Sequence, residues 1–228
     1  LVTAKDMFSH RVSILTGHYG TGKTEVSVNL ALALAAEGEQ VMLADLDIVN
    51  PYFRSRERRP LLEKAGVRVI SSSQACSDAD VPALPAELLT ILENREIRGI
   101  LDIGGDPVGA RVLARFQPKI VQEDYQLIFV LNANRPEVRD AESAAAYLRS
   151  IEAVTGLTCS GLVNNTHLCG ETTPAEIRKG AALAQEVSRQ TGIPILCHTA
   201  ERRFLESLSD LGEPVFPIAI NMKKPWER

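Results

Sequence analysis

Short apolar runs alternate with segments of helical apolar spacing over almost the whole chain. The runs are rich in β-branched residues and mostly continuous, as expected of strands covered on both faces. Such alternation predicts parallel strands joined by helical crossovers. The predicted strands are 11–16, 40–44, 67–71, 98–103, 126–131, 158–163 and 193–197. The final segment, 212–228, is assigned only a closing strand or a loop. The predicted fold class is therefore α/β, a three-layer α/β/α sandwich with a mostly parallel sheet.

Three helices between these strands are well marked. The first, 24–37, follows directly on a glycine-rich turn. The second, 136–154, carries its apolar residues on one face, which is typical of a crossover helix packed on a sheet. The third is predicted to begin after Thr173 as N-cap, with Glu176 completing a capping box, and to end at Gly192.

Size and composition exclude several classes of protein. The 228 residues contain no evident linker or repeat, so we expect one domain, 1–228. Apolar residues make up 45% and charged residues 24%, which excludes a disordered or fibrous chain. The net charge of -4 removes the broad positive field that nonspecific nucleic-acid binding requires, so nucleic acid is not an expected partner.

Membrane and disulfide signals are weak. No apolar run is long enough to cross a membrane, and the first ten residues lack the pattern of a secretory signal. We therefore expect a cytoplasmic protein that does not bind membranes. The four cysteines include no C-x-x-C pair and are expected to be free thiols.

The strongest chemical signal lies between the first strand and the first helix. The sequence Gly17-His18-Tyr19-Gly20-Thr21-Gly22-Lys23-Thr24 matches G-x-x-x-x-G-K-[ST] in the strand-turn-helix context that a P-loop requires. Its glycines let backbone N–H groups converge on phosphate oxygens, and the helix directs its positive end at them. Lys23 can reach the β and γ phosphates, and Thr24 can ligate Mg²⁺.

Acidic residues follow two further strands. Asp45 and Asp47 come at the end of the second predicted strand, and two anions so close together require a cation or a nucleophilic water. Asp102 lies in the strand 98–103 and can hold a magnesium-bound water, while the Gly105 amide can sense a γ phosphate. The sequence therefore predicts a metal-nucleotide site.

These motifs together resemble those of the ParA/MinD-type P-loop ATPases, a group that includes nitrogenase iron proteins and cluster-carrier ATPases. The resemblance rests on 17–24, 27–30, 44–47 and 101–105 and follows the strand order more loosely to about Leu208. It implies a nucleotide-dependent homodimer that hydrolysis resets.

The resemblance also implies individual roles. Lys23 binds phosphates, Asp45 supports the metal through water, Asp47 positions or activates the attacking water, and Asp102 is the Walker B carboxylate. Asn165 falls where the group has an adenine-contacting asparagine. The predicted nucleotide-binding residues are Gly17, His18, Gly20, Thr21, Gly22, Lys23, Thr24, Gly105 and Asn165. The predicted metal ligands are Thr24, Asp45 and Asp102, and the catalytic residues are Lys23, Asp47 and Asp102.

Two positions depart from the group's pattern. His18 stands where the group usually has a lysine that reaches the partner's nucleotide, and Tyr19 replaces a usual glycine. A histidine is charged only when protonated, so His18 either replaces that lysine in a pH-dependent way or merely packs in the loop. The basic run of Arg54, Arg56, Arg58 and Arg59 is either a solvated loop or a contact to phosphate or a partner.

Two further features bear on the ligand. After the sixth predicted strand, 164–167 lack the Asn-Lys-x-Asp pattern of guanine recognition, which favours ATP over GTP. Four residues could converge at the carboxyl edge of neighbouring strands, although their spacing matches no zinc pattern. They are His167, Cys169, Cys197 and His198.

The sequence as a whole predicts a protein that binds ATP with Mg²⁺ and hydrolyses it slowly as a molecular switch, with a partner that the motifs do not identify. Two alternatives stay open. One is an ATP-dependent ligase or synthetase of the dethiobiotin or cobyrinate amide type, and the other is a metal-delivery ATPase. The lack of closely spaced cysteine pairs weighs against a cluster carrier.

Overall fold

The computed structural model describes residues 2–47, 55–71 and 87–222, within which eight parallel strands form one sheet. Their order across the sheet is β3-β2-β4-β1-β5-β6-β7-β8. The strands are β1 (Val12–Thr16), β2 (Gln40–Leu46), β3 (Arg68–Ser71), β4 (Ile97–Ile103), β5 (Tyr125–Leu131), β6 (Cys159–Asn164), β7 (Ile195–Glu201) and β8 (Val215–Ile218). The predicted parallel sheet is confirmed.

Helices cover the sheet on both faces. They are α1 (Ala4–Met7), α2 (Lys23–Ala36), α3 (Arg59–Lys64), α4 (Glu87–Glu93), α5 (Pro107–Ala110), α6 (Gln117–Ile120), α7 (Ala141–Thr155) and α8 (Pro174–Thr191). Apolar residues of α4, α7 and α8 form one core with the strands, and those of α1, α2 and α3 form a second. Successive side chains of a strand point to opposite faces of the sheet, so in β1 Ile14 faces the first core and Leu15 the second. The predicted three-layer α/β/α sandwich is confirmed.

Helix α7 begins later than its apolar pattern predicts. The predicted helix 136–154 is divided into a short 3₁₀ turn, Pro136–Val138, and α7, which starts at Ala141. The Asp140 side chain accepts a hydrogen bond from the Ser143 N–H at 2.8 Å and so caps α7. Apolar periodicity did not reveal this local competition for the backbone N–H groups.

The capping box predicted for α8 is wrong. Thr173 does occupy the N-cap position, but its side chain makes no capping hydrogen bond. The Glu176 carboxylate instead accepts from the Asn134 side-chain amide at 2.9 Å and ties α8 to the loop after β5. The end at Gly192 is confirmed by its left-handed φ of 76°.

The last two strands also differ from the sequence prediction in extent. β7 continues to Glu201 rather than ending at residue 197, because β8 provides its outer partner. β8 itself lies in the segment that the sequence left as a strand or a loop. Since all eight strands are parallel, their carboxyl ends meet at one edge of the sheet, which is where ligands bind in open α/β folds.

Gly180 supplies a test of how closely α8 packs on the sheet. A Cβ at this buried position would lie 2.0 Å from the Thr166 hydroxyl and 2.1 Å from the Asn164 side-chain oxygen. Gly180→Ala should therefore destabilise the fold by about 1–3 kcal/mol, although alanine ordinarily favours a helix interior. Urea unfolding measures the change in free energy. Gly170→Ala, which meets no atom within 4 Å, is the matched control, and equal stability of the two variants would contradict the packing.

Candidate active site

The loop between β1 and α2 has the backbone conformation of an anion cradle. Gly20 and Gly22 adopt left-handed φ values of 77° and 83°, which side chains other than glycine rarely tolerate. The Thr21 N–H and hydroxyl both donate to the His18 carbonyl, at 3.2 and 2.9 Å, and close the turn. Because α2 begins at Lys23, the loop ends on the positive end of a 14-residue helix.

Lys23 is buried beneath this loop in an acidic environment. Burial lowers the pKa of its ammonium group, while the carboxylates of Asp102, Asp47 and Asp106 oppose that shift. A Cβ on Gly105 would lie 2.7 Å from Lys23 Nζ, so the turn after β4 approaches the lysine closely enough to require glycine. The predicted residues Lys23, Asp47, Asp102 and Gly105 are thus brought together.

Asp45 and Asp102 form a pair of buried carboxylates on neighbouring strands. They are register partners of β2 and β4. Their exposed fractions are 2% and 1%. The pKa of Asp102 is raised to about 7, chiefly by burial and then by Asp45, while Lys23 and the Thr24 hydroxyl act to lower it. Within the described residues, neither Asp102 oxygen accepts a hydrogen bond of normal geometry.

Such orphaned oxygens fit a hard cation. Buried acceptors without donors are costly, and carboxylate and hydroxyl oxygens are the protein ligands that Mg²⁺ prefers. Thr24 stands at the start of α2 beside Asp102, as its effect on that carboxyl shows. The residues predicted as metal ligands, Thr24, Asp45 and Asp102, are therefore placed together with the charge and the unfilled acceptors that a divalent cation requires.

Asp47 lies just outside the strand. Because β2 ends at Leu46, the carboxylate of Asp47 is carried by the following turn rather than by the strand itself. Its N–H donates to Asp45 Oδ1 at 3.3 Å, and its own Oδ1 lies 3.5 Å from the Cβ position of Gly104. Asp47 therefore faces the β4 turn and Lys23, at the place predicted for a residue that acts on the attacking water.

Asn165 is bound into the protein at both ends of its side chain. Its amide donates to the Thr21 carbonyl at 2.8 Å, and its oxygen accepts from the Thr199 hydroxyl at 2.5 Å. The buried side chain thereby braces the P-loop against β7. Adenine contact by Asn165 stays a prediction, and the bracing role is one that sequence spacing did not reveal.

His18 turns away from Lys23 toward the α7 side of the loop. Its ring packs edge-on against Tyr147 with centroids 5.0 Å apart, and its Nδ1 lies 3.7 Å from a Glu137 carboxylate oxygen. The Tyr147 hydroxyl donates to the Gly105 carbonyl, so this tyrosine joins the two phosphate-side turns. Tyr19, by contrast, is 54% exposed.

The weaker sequence features fall into two groups. Arg54 and Cys76 lie outside the described residues, whereas Arg59 lies on α3 and bonds Glu63 at 3.1 Å on the surface. His167 lies beside Cys169, at 3.9 Å between Nδ1 and Sγ, and Cys197 is buried. The buried His198 bonds Asn164 and Glu213, each at 3.1 Å. Of the four residues considered for a metal site, His167 and Cys169 thus lie together, His198 belongs to a separate network, and Cys197 lies in an apolar core.

Sequence reasoning missed Arg135. Its Nε–H donates to the Gly20 carbonyl at 2.7 Å, which places a guanidinium directly on the P-loop. The available signal was position alone, since Arg135 follows β5 at the carboxyl edge of the sheet next to β1.

Comparisons with known proteins agree with this geometry. A family model described as ParA, the NUBPL iron-transfer P-loop NTPases, matches residues 7–55. The septum site-determining protein MinD of Helicobacter pylori is 24% identical over 95% of this chain and 87% of its own length. The predicted resemblance to the ParA/MinD-type P-loop ATPases is confirmed.

Two iron-sulfur relatives match shorter segments of this chain. The cytosolic Fe-S cluster assembly factor cfd1 of Emericella nidulans is 36% identical over 42% of this chain, which spans only 26% of that relative's length. The iron-sulfur cluster carrier protein of Escherichia coli K12 is 50% identical over 40 residues, which are 18% of this chain and 11% of that protein.

Solved structures show the same fold. FtsY of Thermotoga maritima matches with a TM-score of 0.56 and 23% identity over 81% of this chain and 59% of its own. The 54 kDa signal recognition particle protein of Aeropyrum pernix, solved with GDP, matches with a TM-score of 0.52 and 23% identity over 81% and 40%. In the described part of the chain, no helix combines the length and apolarity needed to span a membrane.

The raised pKa of Asp102 generates a test on metal-free protein. Between about pH 4 and 7 the folded state retains a proton that the unfolded chain has lost, so stability falls as pH rises through this range. Asp102→Asn removes the titration and should be more stable than wild type by about 2–4 kcal/mol at pH 8. The difference should vanish near pH 4.

Urea unfolding in EDTA at pH 4.5, 6 and 8 measures these free energies. Asp140→Asn is the control. It keeps an N-capping side chain at the exposed start of α7 and should change stability little at any pH. An Asp102→Asn variant that is less stable than wild type at pH 8 would contradict the unfavourable burial of this carboxylate.

Proposed function

We propose that residues 1–228 form a single nucleotide-binding domain that binds ATP with Mg²⁺ and hydrolyses it slowly as a molecular switch. The observation that carries this proposal is the buried cluster below the P-loop. Lys23 lies there among Asp47, Asp102 and Asp106, and a second buried carboxylate, Asp45, pairs with Asp102. A fold rarely keeps so many charges out of water unless a charged ligand completes them.

The phosphates would be held by the P-loop amides and Lys23. The three neighbouring carboxylates oppose the lowering of the Lys23 pKa by burial, because each favours the protonated ammonium. Thr24, Asp45 and Asp102 would hold Mg²⁺. When bound, Mg²⁺ neutralises phosphate charge and so assists hydrolysis. Its charge would also favour the ionised form of Asp102.

Asp47 would act on hydrolysis, and the turn after β4 would respond to the γ phosphate. Asp47 would orient the attacking water. The Gly105 amide would sense the γ phosphate, and this turn runs directly into α5, which Asp106 caps by accepting from the Gly109 N–H at 2.7 Å. Gly104 and Gly109 are packed so tightly that a Cβ on Gly104 would lie 2.9 Å from Gly109 Cα. A shift of Gly105 would therefore move α5, which supplies the switch.

ATP is proposed as the nucleotide because residues 164–167 lack the guanine-recognition pattern, although one similar structure was solved with GDP. The resemblance to ParA/MinD-type ATPases further supports a nucleotide-dependent homodimer.

Metal delivery is a second candidate, which the names of the iron-sulfur relatives favour. Within the described residues, however, no group of three or more His, Cys, Asp or Glu side chains is arranged to hold a metal ion. Cys159 and Cys197 are buried, and burial raises the pKa of both thiols, that of Cys159 to about 12, so neither is a ready thiolate ligand. Metal analysis of untagged protein purified without oxygen distinguishes the two functions. Stoichiometric iron would favour delivery.

Lys23→Ala should weaken Mg-ATP binding at least about 100-fold, because it removes the charged donor to the phosphates. Titration calorimetry measures the affinity, and circular dichroism checks the fold. Lys119→Ala, which removes an exposed lysine paired with Glu93, should bind as wild type does. Unchanged affinity of folded Lys23→Ala would remove the P-loop assignment.

Asp47→Asn should retain ATP affinity within a few-fold but slow hydrolysis about 100-fold, since the amide still fills the site but orients water poorly. Affinity is measured with a nonhydrolysable analogue and turnover by phosphate release. A parallel fall in affinity and turnover, or a change in neither, would show that Asp47 does not position the water.

A further inference from the structure

Arg135 is fixed against the P-loop by its own turn. β5 ends at Leu131, and the next residues form a turn in which the Arg135 N–H donates to the Asn132 carbonyl at 3.0 Å. The side chain then crosses to the neighbouring loop, where Nε donates to the Gly20 carbonyl at 2.7 Å. Its Cζ lies only 2.7 Å from the position that a Cβ on Gly20 would occupy. The guanidinium therefore packs directly on the glycine loop.

The charge of Arg135 has no counterion within the described part of the chain. Nε is committed to Gly20, and no carboxylate there forms an ion pair with the guanidinium. The nearby carboxylate of Glu137 lies beside His18 instead, and that of Asp140 lies 3.8 Å from Arg139. The neighbouring His167 adds no second positive charge near neutral pH, since burial and Arg135 lower its pKa to about 4. Among the described residues, a half-buried cation thus lies against Gly20 of the P-loop without a counterion.

The second residue of the P-loop is His18, which is not permanently charged. His18 packs on Tyr147 and lies near Glu137, so its ring is directed to α7. The unpaired N–H groups of Arg135 are the donors that suit a phosphate, which a guanidinium binds through two parallel hydrogen bonds.

We propose that Arg135 binds the phosphate chain of the nucleotide from the Gly20 side of the P-loop, and so supplies from the β5 turn the fixed positive charge that His18 lacks. This inference rests on the proposed nucleotide-binding function. It adds a phosphate ligand from the turn after β5 to Lys23 at the start of α2, so that binding clamps the β1 and β5 turns together.

The test separates the charge of Arg135 from its hydrogen bond to Gly20. Arg135→Gln keeps a side-chain N–H for the Gly20 carbonyl but removes the charge, whereas Arg135→Lys keeps the charge. Arg139→Gln removes a charge from the same turn at an exposed position and is the matched control. Mg-ATP and Mg-ADP affinities are measured by calorimetry in 50 and 300 mM KCl, with thermal unfolding of the nucleotide-free proteins as a check on folding.

Arg135→Gln should weaken the binding of both nucleotides about 10- to 100-fold in low salt and less in high salt, because salt screens an ionic contact. Arg135→Lys should recover part of the loss, and Arg139→Gln should bind as wild type does. Wild-type affinity in Arg135→Gln would overturn the inference while leaving the proposed function intact. So would an equal, salt-independent loss in the Gln and Lys variants, which is expected if Arg135 only shapes the loop or stacks on the base. A folded wild type that binds neither nucleotide would instead overturn the proposed function.

Discussion

The burial of Asp102 beside Lys23 is the constraint on which the site depends. Asp102 lies in a central strand between two apolar cores, where an ionised carboxylate is costly. Asp45 on the adjacent strand adds a second negative charge, and Lys23 compensates only part of it. The nucleotide-free arrangement is therefore electrostatically incomplete. In the proposed function, a cation and a polyphosphate would complete it, and their binding energy would offset the cost of keeping these groups buried.

The parallel sheet makes this arrangement geometrically possible. Because β4 lies between β1 and β2, the P-loop, the Asp45 strand end and the Gly105 turn all emerge side by side at one edge. The two apolar cores hold the strands in register, so that Asp45 and Asp102 lie opposite each other on neighbouring strands. Packing on both faces thus sets the positions of charges that would otherwise separate.

Neighbouring loops then hold the P-loop in shape. Asn165 donates a hydrogen bond to the Thr21 carbonyl, and Arg135 donates one to the Gly20 carbonyl. Tyr147 connects His18 with the Gly105 turn. These braces come from three different elements beyond β1 and α2. In the proposed switch, a ligand bound to the loop would consequently affect the β5 and β6 turns as well as α5.

The sequence by itself determined the parallel α/β fold, the P-loop, and the candidate residues Lys23, Thr24, Asp45 and Asp102, because continuous apolar runs, period-3.6 patterns and short motifs are local properties. It did not determine where α7 begins, since the capping bond of Asp140 competes with apolar periodicity. Only the tertiary structure decided that Asn165 braces the loop, that His18 turns to Tyr147, and that Arg135 reaches Gly20 over 115 positions of the chain. Such contacts join residues far apart in sequence, and no local pattern encodes which side chains two neighbouring strands will bring together.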